Sequence, residues 1–184
     1  MKPPPARIET ARLVLRRWEL SDEPAFADLL ESNREHYAAF IPFYLEGEPL
    51  GRLREYRDAF EAGDSFSYGG FEAGRLVGGG GLFPRIGPGA LEIGYHVRSG
   101  ETRRGLATEI AAALVDVAFE HCGAERVELH IRPANVASLG VARTLGFAET
   151  GYDADKGVAI FSRESSASEA SVTSASESDS SSGG

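Results

Sequence analysis

The 184-residue sequence predicts a single α+β domain, with a mixed, mostly antiparallel sheet and helices on both of its faces. Three observations support this prediction. The elements occur in the order strand, two helices, three strands, helix, strand, helix and two closing strands. Turns at Ala73-Gly74 and Gly87-Pro88-Gly89 separate the three middle strands, which is typical of an antiparallel meander. A strand–helix–strand unit over 91–131 has the form of a right-handed crossover, so its two strands should be parallel neighbours.

Hydrophobic periodicity locates the individual elements. Alternating patterns predict strands over 12–18, 65–72, 76–83, 91–97, 126–131, 147–152 and 158–162. Helical patterns predict helices over 22–32, 53–62, 106–121 and 137–145. Ser21 is the expected N-cap of the first helix, and Gly146 is positioned like the C-cap of the last. The stretch 36–49 is aromatic and is expected to be irregular.

The two ends of the chain differ in composition from its middle. Residues 1–7 are rich in proline and are expected to be flexible, whereas 8–163 form the folded domain. From Glu164 onward the chain is mostly serine, alanine, acidic residues and glycine, with Val172 as its one sizeable apolar residue. Such a segment buries too little surface to offset the entropy cost of ordering, so 164–184 is expected to be a disordered tail.

Charge and cysteine content exclude several classes of function. The net charge is −9, and the tail carries four acidic residues and no basic one, which leaves −5 on the rest. An acidic domain does not attract a nucleic-acid backbone, whereas it favours cationic, amine-bearing substrates. No apolar run is long enough to span a membrane, and the first residues lack the apolar core of a signal peptide. The single cysteine, Cys122, excludes an intrachain disulfide and favours a cytoplasmic location.

The most informative stretch is 91–108. Here an alternating strand ends, a basic turn containing glycine follows, and a helix opens near Gly105. The first turn of a helix has unpaired N–H groups at the positive end of its dipole, and Arg103 and Arg104 are expected to aim the same way. Because Gly105 and Ala107 leave little side-chain bulk, a diphosphate could approach the backbone. The stretch therefore predicts an anion site.

Four motifs follow one another along the chain. They are ETARLVLR at 9–16, EIGYHV at 92–97, RRGLATE at 103–109 and NVASLGVARTLGF at 135–147. In this order and spacing they resemble the GNAT superfamily of acetyl-CoA-dependent N-acetyltransferases. They are most similar to the branch that includes the ribosomal-protein N-terminal acetyltransferases. The resemblance covers about 8–163 and implies a GNAT-like fold.

The resemblance also implies where acetyl-CoA, the co-substrate, binds; it implies no metal. The backbone amides that would hold its diphosphate belong to Arg103, Arg104, Gly105, Leu106, Ala107 and Thr108. Its pantetheine arm would pair like an added strand with Tyr95, His96 and Val97, in a gap where two parallel strands separate. Asn135 matches the asparagine that anchors the cofactor, and Ser138 matches a serine near its thiol end.

Acetyl transfer to an amine needs a neutral amine, a polarised thioester carbonyl and a stabilised thiolate. A backbone N–H near Val97 can polarise the carbonyl. Glu92 is the expected base, acting through water, or else a salt-bridged strand residue. Ser138 is the expected acid or hydrogen-bond donor to the thiolate, or else a helix cap. Many relatives have a tyrosine as the acid seven residues after the asparagine; here that residue is Ala142, so the general acid is unassigned.

Other residues have simpler interpretations. His96 shares a strand face with Glu92 and either shuttles a proton, lines the amine pocket, or is structural. The remaining histidines show no metal spacing with one another or with Cys122, which is expected to be a packing residue. The glycine run 78–81 lies inside a strand pattern, so it indicates close backbone packing rather than a phosphate cradle. The aromatic residues of 37–44 either wall the acceptor site or belong to the core.

The sequence thus predicts an N-acetyltransferase that transfers the acetyl group directly to a primary amine. No cysteine lies in a motif for a covalent acyl-enzyme. The branch resemblance favours the α-amine of a protein N-terminus, such as that of a ribosomal protein. The alternatives are an acetyltransferase for a small amine (a polyamine, an amino acid or an antibiotic) and an acetyl-CoA-binding module without turnover, which Ala142 keeps open. The resemblance is compatible with a monomer or a homodimer.

Overall fold

The computed structural model describes residues 2–166. Its strands are β1 (Arg7–Glu9), β2 (Leu13–Arg17), β3 (Phe66–Glu72), β4 (Arg75–Phe83), β5 (Ala90–Val97), β6 (Arg126–Ile131), β7 (Ala148–Asp153) and β8 (Val158–Glu164). Its α-helices are α1 (Glu23–Ser32), α2 (Arg34–Phe40), α3 (Pro49–Ala62), α4 (Leu106–Asp116) and α5 (Val136–Thr144). The strands form one sheet in the order β1-β2-β3-β4-β5-β6-β8-β7.

The sheet is antiparallel except at one junction. All neighbouring strands run antiparallel apart from β5 and β6, which are parallel and are joined through α4 as the predicted crossover requires. The predicted α+β class with a mixed, mostly antiparallel sheet is confirmed. The parallel pairing is short, because only 90–92 of β5 are in register with 126–128 of β6. Beyond Glu92 the two strands separate, while β5 continues beside β4.

Two hydrophobic clusters pack against this sheet. The larger one includes Ile110 and Leu114 of α4, both fully buried. The smaller one is aromatic and joins α1, α3 and the segment after α2 to the sheet through Trp18, Phe26 and Tyr44. The rings of Trp18 and Phe26 lie 5.0 Å apart between centroids. Burial of such aromatic surface is the main stabilising contribution on this side of the sheet.

The glycine run of β4 brings its neighbouring strands unusually close. A Cβ atom on Gly78 would lie 2.4 Å from the carbonyl oxygen of His96, and one on Gly79 would lie 2.4 Å from that of Tyr68. Both contacts are with backbone, so a side chain would force the strands apart. The prediction of close backbone packing is therefore confirmed.

The observed elements differ from the predicted ones in four places. The sequence does not predict β1, because three residues are too few to show an alternating pattern. The helix α2 occupies part of the stretch expected to be irregular. Ser21 is not an N-cap; Glu19 and Asp22 instead form a capping box around a 3-10 turn before α1. The predicted helix 106–121 is an α-helix only to Asp116 and continues as a π-helical turn, Val117–His121.

The ends of the described chain contact the domain. The N–H of Lys2 donates to the carbonyl oxygen of Cys122 at 3.2 Å, and the hydroxyl of Tyr68 donates to the carbonyl oxygen of Pro5 at 2.9 Å. The flexibility expected for the N-terminus stays a prediction. At the other end, Glu164 belongs to β8 rather than to the predicted tail. The rest of that prediction, over 167–184, lies outside the described residues.

Candidate active site

The candidate site begins where β5 and β6 separate. From Ile93 to Val97, β5 has no strand partner on its β6 side within the described chain. A cavity of about 110 Å³ lies between the end of β5, the start of α4 and α5. A second cavity, of about 900 Å³, lies beside β4, β5 and β6 and is walled by the aromatic segment after α2. The residues that line both cavities include Tyr95, His96, Asn135 and Ser138. The two cavities therefore meet at these side chains.

The turn before α4 has the backbone conformation of an anion-binding concavity. Arg103 and Gly105 both have positive φ angles, of 60° and 78°. Turns of this kind direct successive N–H groups into one concave surface. A left-handed conformation at a residue other than glycine is strained, and such strain is found mainly at functional sites. Among the hydrogen bonds of the described chain, none is donated by the backbone N–H groups of 103–108.

The residues just before this turn, Arg98 and Ser99, are held by side chains of α1 and of Asn33, which follows α1. The guanidinium of Arg98 donates to the hydroxyl of Ser32 and to the carboxylate of Asp28, each at 2.8 Å. The amide oxygen of Asn33, a residue only 2% exposed, accepts from the N–H of Ser99 at 2.5 Å. These contacts fix the turn without using the N–H groups that follow it.

The side chain of Arg104 pairs with carboxylates of the chain itself, so a direct contact with an anion stays a prediction. Its guanidinium donates to the two carboxylate oxygens of Glu72 at 2.8 and 2.9 Å and also pairs with Glu101. Its carbonyl oxygen accepts from the guanidinium of Arg12 at 2.8 Å. The Glu72 partner is 32 residues away along the chain, which explains why sequence spacing does not reveal it. These pairs tie Arg104 to β3 and to the start of the turn, and its backbone N–H has no partner within the described chain.

The first turn of α5 lies at the junction of the two cavities. Asn135 is the N-cap of this helix, since its Oδ1 accepts from the N–H of Ser138 at 3.2 Å. The helix cap is therefore Asn135 and not Ser138, which takes part only through its backbone N–H. A contact between Asn135 and the cofactor stays a prediction. Ala142, on the following turn, is completely buried. An alanine at this position has no proton to give to a thiolate.

Tyr95 brings a second hydroxyl to the junction. Its oxygen lies 3.5 Å from the carbonyl oxygen of Ser138, and its ring lines both cavities while packing against the larger hydrophobic cluster. Burial raises the pKa of the Tyr95 hydroxyl to about 12, so the group is protonated at neutral pH. The junction therefore carries two neutral hydroxyls, those of Tyr95 and Ser138.

Glu92 is the last residue of β5 that pairs with β6, and it lines the larger cavity. Its side chain is 12% exposed. Both of its carboxylate oxygens accept from the guanidinium of Arg85, at 2.6 and 2.8 Å. The salt-bridged interpretation is therefore correct, whereas the role of Glu92 as a base stays a prediction.

Sequence reasoning assigned no role to His130, yet this residue lines the larger cavity beside Glu92. Its Nε2 lies 2.9 Å from an oxygen of Glu128, and its Nδ1 lies 3.7 Å from an oxygen of Glu92. The spacing of Glu128 and His130 puts both side chains on one face of β6, and this signal is present in the sequence. The register that aligns Glu92 with Glu128 is visible only in the folded sheet.

His96 lies in a different environment at the other end of the cavity. Its Nδ1 is 3.0 Å from the hydroxyl of Tyr37, and its ring centroid is 4.5 Å from that of Tyr44. Burial, with a smaller effect from His36, lowers the pKa of His96 to about 3. The ring is therefore neutral at physiological pH. In the aromatic segment, Tyr37 is buried in the core, whereas Phe43 lines the larger cavity while 57% exposed. A role of this segment as a wall of the acceptor site stays a prediction.

Comparison with known protein families identifies the family to which the chain belongs. The family model for the acetyltransferase (GNAT) domain matches residues 12–148. The chain belongs to the GNAT acetyltransferase family. It is therefore an N-acetyltransferase, and GNAT acetyltransferases use acetyl-CoA as the acetyl donor. Within residues 2–166, no group of histidine, cysteine and acidic side chains is arranged to hold a metal ion, and no helix could cross a membrane.

Individual GNAT proteins resemble this chain along most of its length. The chain is 30% identical to the "Probable N-acetyltransferase YjcK" of Bacillus subtilis, over 76% of this chain and 82% of that protein. The solved structure of RimL, a ribosomal L7/L12 α-N-protein acetyltransferase, has a TM-score of 0.77 and 20% identity, and the match covers 86% of this chain and 94% of RimL. The ribosomal-protein-S5-alanine acetyltransferase of Vibrio fischeri has a TM-score of 0.76 and 18% identity, with 88% and 98% covered. Both structures confirm the fold.

Proposed function

We propose that this GNAT enzyme acetylates the α-amine of a protein N-terminus, such as that of a ribosomal protein, and that residues 8–163 form its catalytic unit. The observation that carries the proposal is the meeting of two cavities of unequal size at one junction. The smaller one suits the narrow arm of coenzyme A. The larger one, at about 900 Å³, has room for the first residues of a chain as well as for the amine.

The backbone of the cleft fits acetyl-CoA. The N–H groups of 103–108 donate no hydrogen bond within the described chain, so they can donate to the oxygens of a diphosphate. The unpaired edge of β5 at Tyr95, His96 and Val97 offers backbone groups to the amides of the pantetheine arm, as an added strand would. Asn135 and Ser138 border the same path from the side of α5.

The junction has the groups that direct acetyl transfer requires. The amine nitrogen attacks the thioester carbonyl, whose oxygen is polarised by a backbone N–H near Val97. The carbon–sulfur bond breaks, and the hydroxyls of Ser138 and Tyr95 are the candidate donors to the departing sulfur. Glu92 lines the larger cavity, in which the acceptor would bind, and places a carboxylate there. No covalent acyl-enzyme is required, and the single cysteine, Cys122, is buried outside both cavities.

Two further features support a protein acceptor inside the cell. The fold is shared with RimL and with the Vibrio fischeri S5-alanine enzyme, whose names specify ribosomal proteins. A single cysteine whose thiol has a pKa raised by burial is compatible with a cytoplasmic location, which we propose as well. The proposal leaves the choice between monomer and homodimer to measurement.

The test is release of coenzyme A thiol from acetyl-CoA by the full-length protein, with N-terminal Ser and Ala peptides, polyamines, amino acids and aminoglycosides as acceptors. Mass spectrometry of the products identifies the acetylated atom. We expect thiol release to depend on a peptide and to match the yield of Nα-acetyl peptide. Thiol release with small amines but not with peptides would show that the acceptor is a small amine rather than a protein N-terminus. Saturable protection against thermal unfolding by acetyl-CoA, with no thiol release from any amine, would identify a binding module.

Asn135→Ala tests the cofactor side of the proposal. The substitution removes both the N-cap of α5 and the side chain that borders the cofactor path. We expect weaker binding of acetyl-CoA by titration calorimetry, together with a loss of about 1 kcal/mol in unfolding free energy for the cap. Unchanged affinity would limit Asn135 to its capping role.

A further inference from the structure

The larger cavity is lined by four groups that could take a proton from the acceptor amine. Among the described residues lining the larger cavity, the carboxylates and histidines are Glu92, Asp155, His96 and His130. Asp155 is exposed on the turn between β7 and β8. Because an α-amine has a pKa of about 8, it is largely protonated at neutral pH, and the site needs a base whose proton affinity is close to that of the amine.

Two of these groups are poorly suited by their surroundings. His96 is enclosed by the aromatic rings of Tyr37 and Tyr44, and its imidazolium form is disfavoured by burial. Both oxygens of Glu92 already accept hydrogen bonds from the guanidinium of Arg85. We therefore place Glu92 beside the base, as a positioning residue, rather than as the base itself.

His130 is held in the arrangement of an oriented imidazole base. The oxygen of Glu128 at 2.9 Å from Nε2 favours the tautomer with the proton on Nε2, because the carboxylate can only accept. The lone pair of Nδ1 then remains free on the side of Glu92, at 3.7 Å from its oxygen. After Nδ1 takes a proton, each ring nitrogen carries a hydrogen that faces a carboxylate. A histidine oriented by one carboxylate and accepting a proton at its other nitrogen is a recurrent catalytic unit.

We propose that His130 is the general base of this enzyme, taking the amine proton at Nδ1, with Glu128 and Glu92 as its positioning residues. The inference rests on the proposed acetyl transfer. The acceptor ammonium loses one proton to Nδ1, and the free amine attacks the thioester, forming the C–N bond and breaking the C–S bond. The second proton lost by the nitrogen ends on the sulfur of coenzyme A. The His130 imidazolium then returns its proton to water.

The charges around His130 come from every element packed against it. Glu128 and Arg126 lie on β6, Glu92 lies on β5, and Arg85 lies on the segment between β4 and β5. The guanidinium of Arg126 is 2.9 Å from Glu128, on the oxygen that does not face His130. On the other side, β8 presents no charge at the position paired with His130, which is Ile160. Glu128 thus contacts Arg126 and His130 through different oxygens, whereas Oε2 of Glu92 faces both Arg85 and His130.

The test is the pH profile of kcat/KM for thiol release by the full-length protein, with the peptide identified in the acceptor panel. In His130→Gln we expect a loss of about 100-fold or more at neutral pH, because a general base contributes about 10²- to 10⁴-fold. The wild-type profile rises with deprotonation of the imidazole, because the acceptor enters as the ammonium. The variant can use only the free amine, so its profile rises instead with deprotonation of the acceptor. His130→Ala is expected to recover activity in proportion to added imidazole.

A matched control and a binding measurement separate the possible outcomes. His121→Gln changes an exposed histidine at the end of the π-helical turn and should leave the rate and the profile unchanged. Both His130 variants should bind coenzyme A with wild-type affinity by calorimetry. A folded His130→Gln with wild-type turnover and the wild-type pH profile would overturn the inference, and so would a folded, coenzyme-binding His130→Ala without imidazole rescue. If the wild type itself transfers no acetyl group, the proposed function fails first and the inference fails with it.

Discussion

His96 and His130 lie on neighbouring strands and line the same cavity, yet their surroundings are opposite. His96 is partly buried among aromatic rings, with a tyrosine hydroxyl at 3.0 Å from Nδ1. His130 lies between two carboxylates, at the point where β5 and β6 separate. One environment penalises a positive charge and the other compensates it. The same side chain is therefore structural in one place and suited to proton transfer in the other.

The difference arises from what each strand has beside it. His96 projects toward a part of the sheet where β4 consists of glycines, so the aromatic segment after α2 can approach and enclose the ring. His130 projects from the parallel pair, whose register brings Glu92 and Glu128 side by side. The guanidinium groups of Arg85 and Arg126 lie beside these two carboxylates.

The largest expected effect is a loss of stability when Gly79, the residue of β4 that pairs with His96, is replaced. In Gly79→Ala, the new Cβ would lie 2.4 Å from the carbonyl oxygen of Tyr68 and 3.1 Å from Nε2 of His96. Because backbone must move, we expect a loss of about 3 kcal/mol in unfolding free energy, measured by urea denaturation. Gly140→Ala is the control, since its Cβ meets nothing within 4 Å and alanine favours the helix. Equal stability of the two variants would contradict the close approach of β3 and β4.

A second effect is the pH dependence of stability. In the unfolded chain a histidine takes up a proton as the pH falls below about 6.5, whereas folded His96 remains neutral down to about 3. The folded state is therefore destabilised as the pH falls from 6.5 to 3, by about 2 kcal/mol between pH 7 and pH 5. Denaturation of wild type and His96→Gln at both pH values measures this difference. An equal loss in the variant would assign the pH dependence to other groups.

A third prediction concerns the carboxylate on the other side of the comparison. Glu92→Gln retains a side-chain oxygen for Arg85 but removes the negative charge facing Nδ1 of His130. We expect turnover near neutral pH to fall about tenfold, less than in His130→Gln, because one counter-charge is lost while the base remains. Glu149→Gln, an exposed change on β7, serves as the control. An unchanged rate in Glu92→Gln would remove Glu92 from the mechanism.

The smallest expected effect is that of Tyr37→Phe. This change removes the hydroxyl that pairs with His96 but retains the ring and its packing. We expect a loss of about 1 kcal/mol, seen as a lower Tm, because a buried hydrogen bond is lost. The pH profile of turnover should be unchanged, since His130 is not involved. A shifted profile would mean that Tyr37 and His96 form part of the proton path.

Most of the fold follows from local sequence patterns, and the exceptions have physical reasons. The strand 126–131 has the predicted limits, because its hydrophobic residues alternate and turns flank it. By contrast, α2 has only seven residues, too few for a stable isolated helix, and it is held by burial of Tyr37 and by packing against neighbouring rings. Local pattern contains little information about an element that tertiary contacts stabilise.

The sequence predicts the parts of the site that are formed by contiguous backbone. It predicts less well the parts formed by side chains from distant segments. The glycine-containing turn and helix start at 103–108 are contiguous in sequence, and the structure retains their unused N–H groups. The partners of Arg104 and Glu92, and the neighbours of His130, come from distant segments brought together by strand register. Their side-chain roles therefore require the folded sheet.

The backbone N–H groups of 103–108 offer the most direct test of the central claim, that this turn holds the diphosphate of acetyl-CoA. The measurement is a titration of the ¹⁵N-labelled full-length protein with coenzyme A, followed by amide chemical shifts. We predict saturable shifts that are largest at these residues and extend along Tyr95 to Val97. Binding that leaves 103–108 unperturbed, or no saturation at all, would contradict the account.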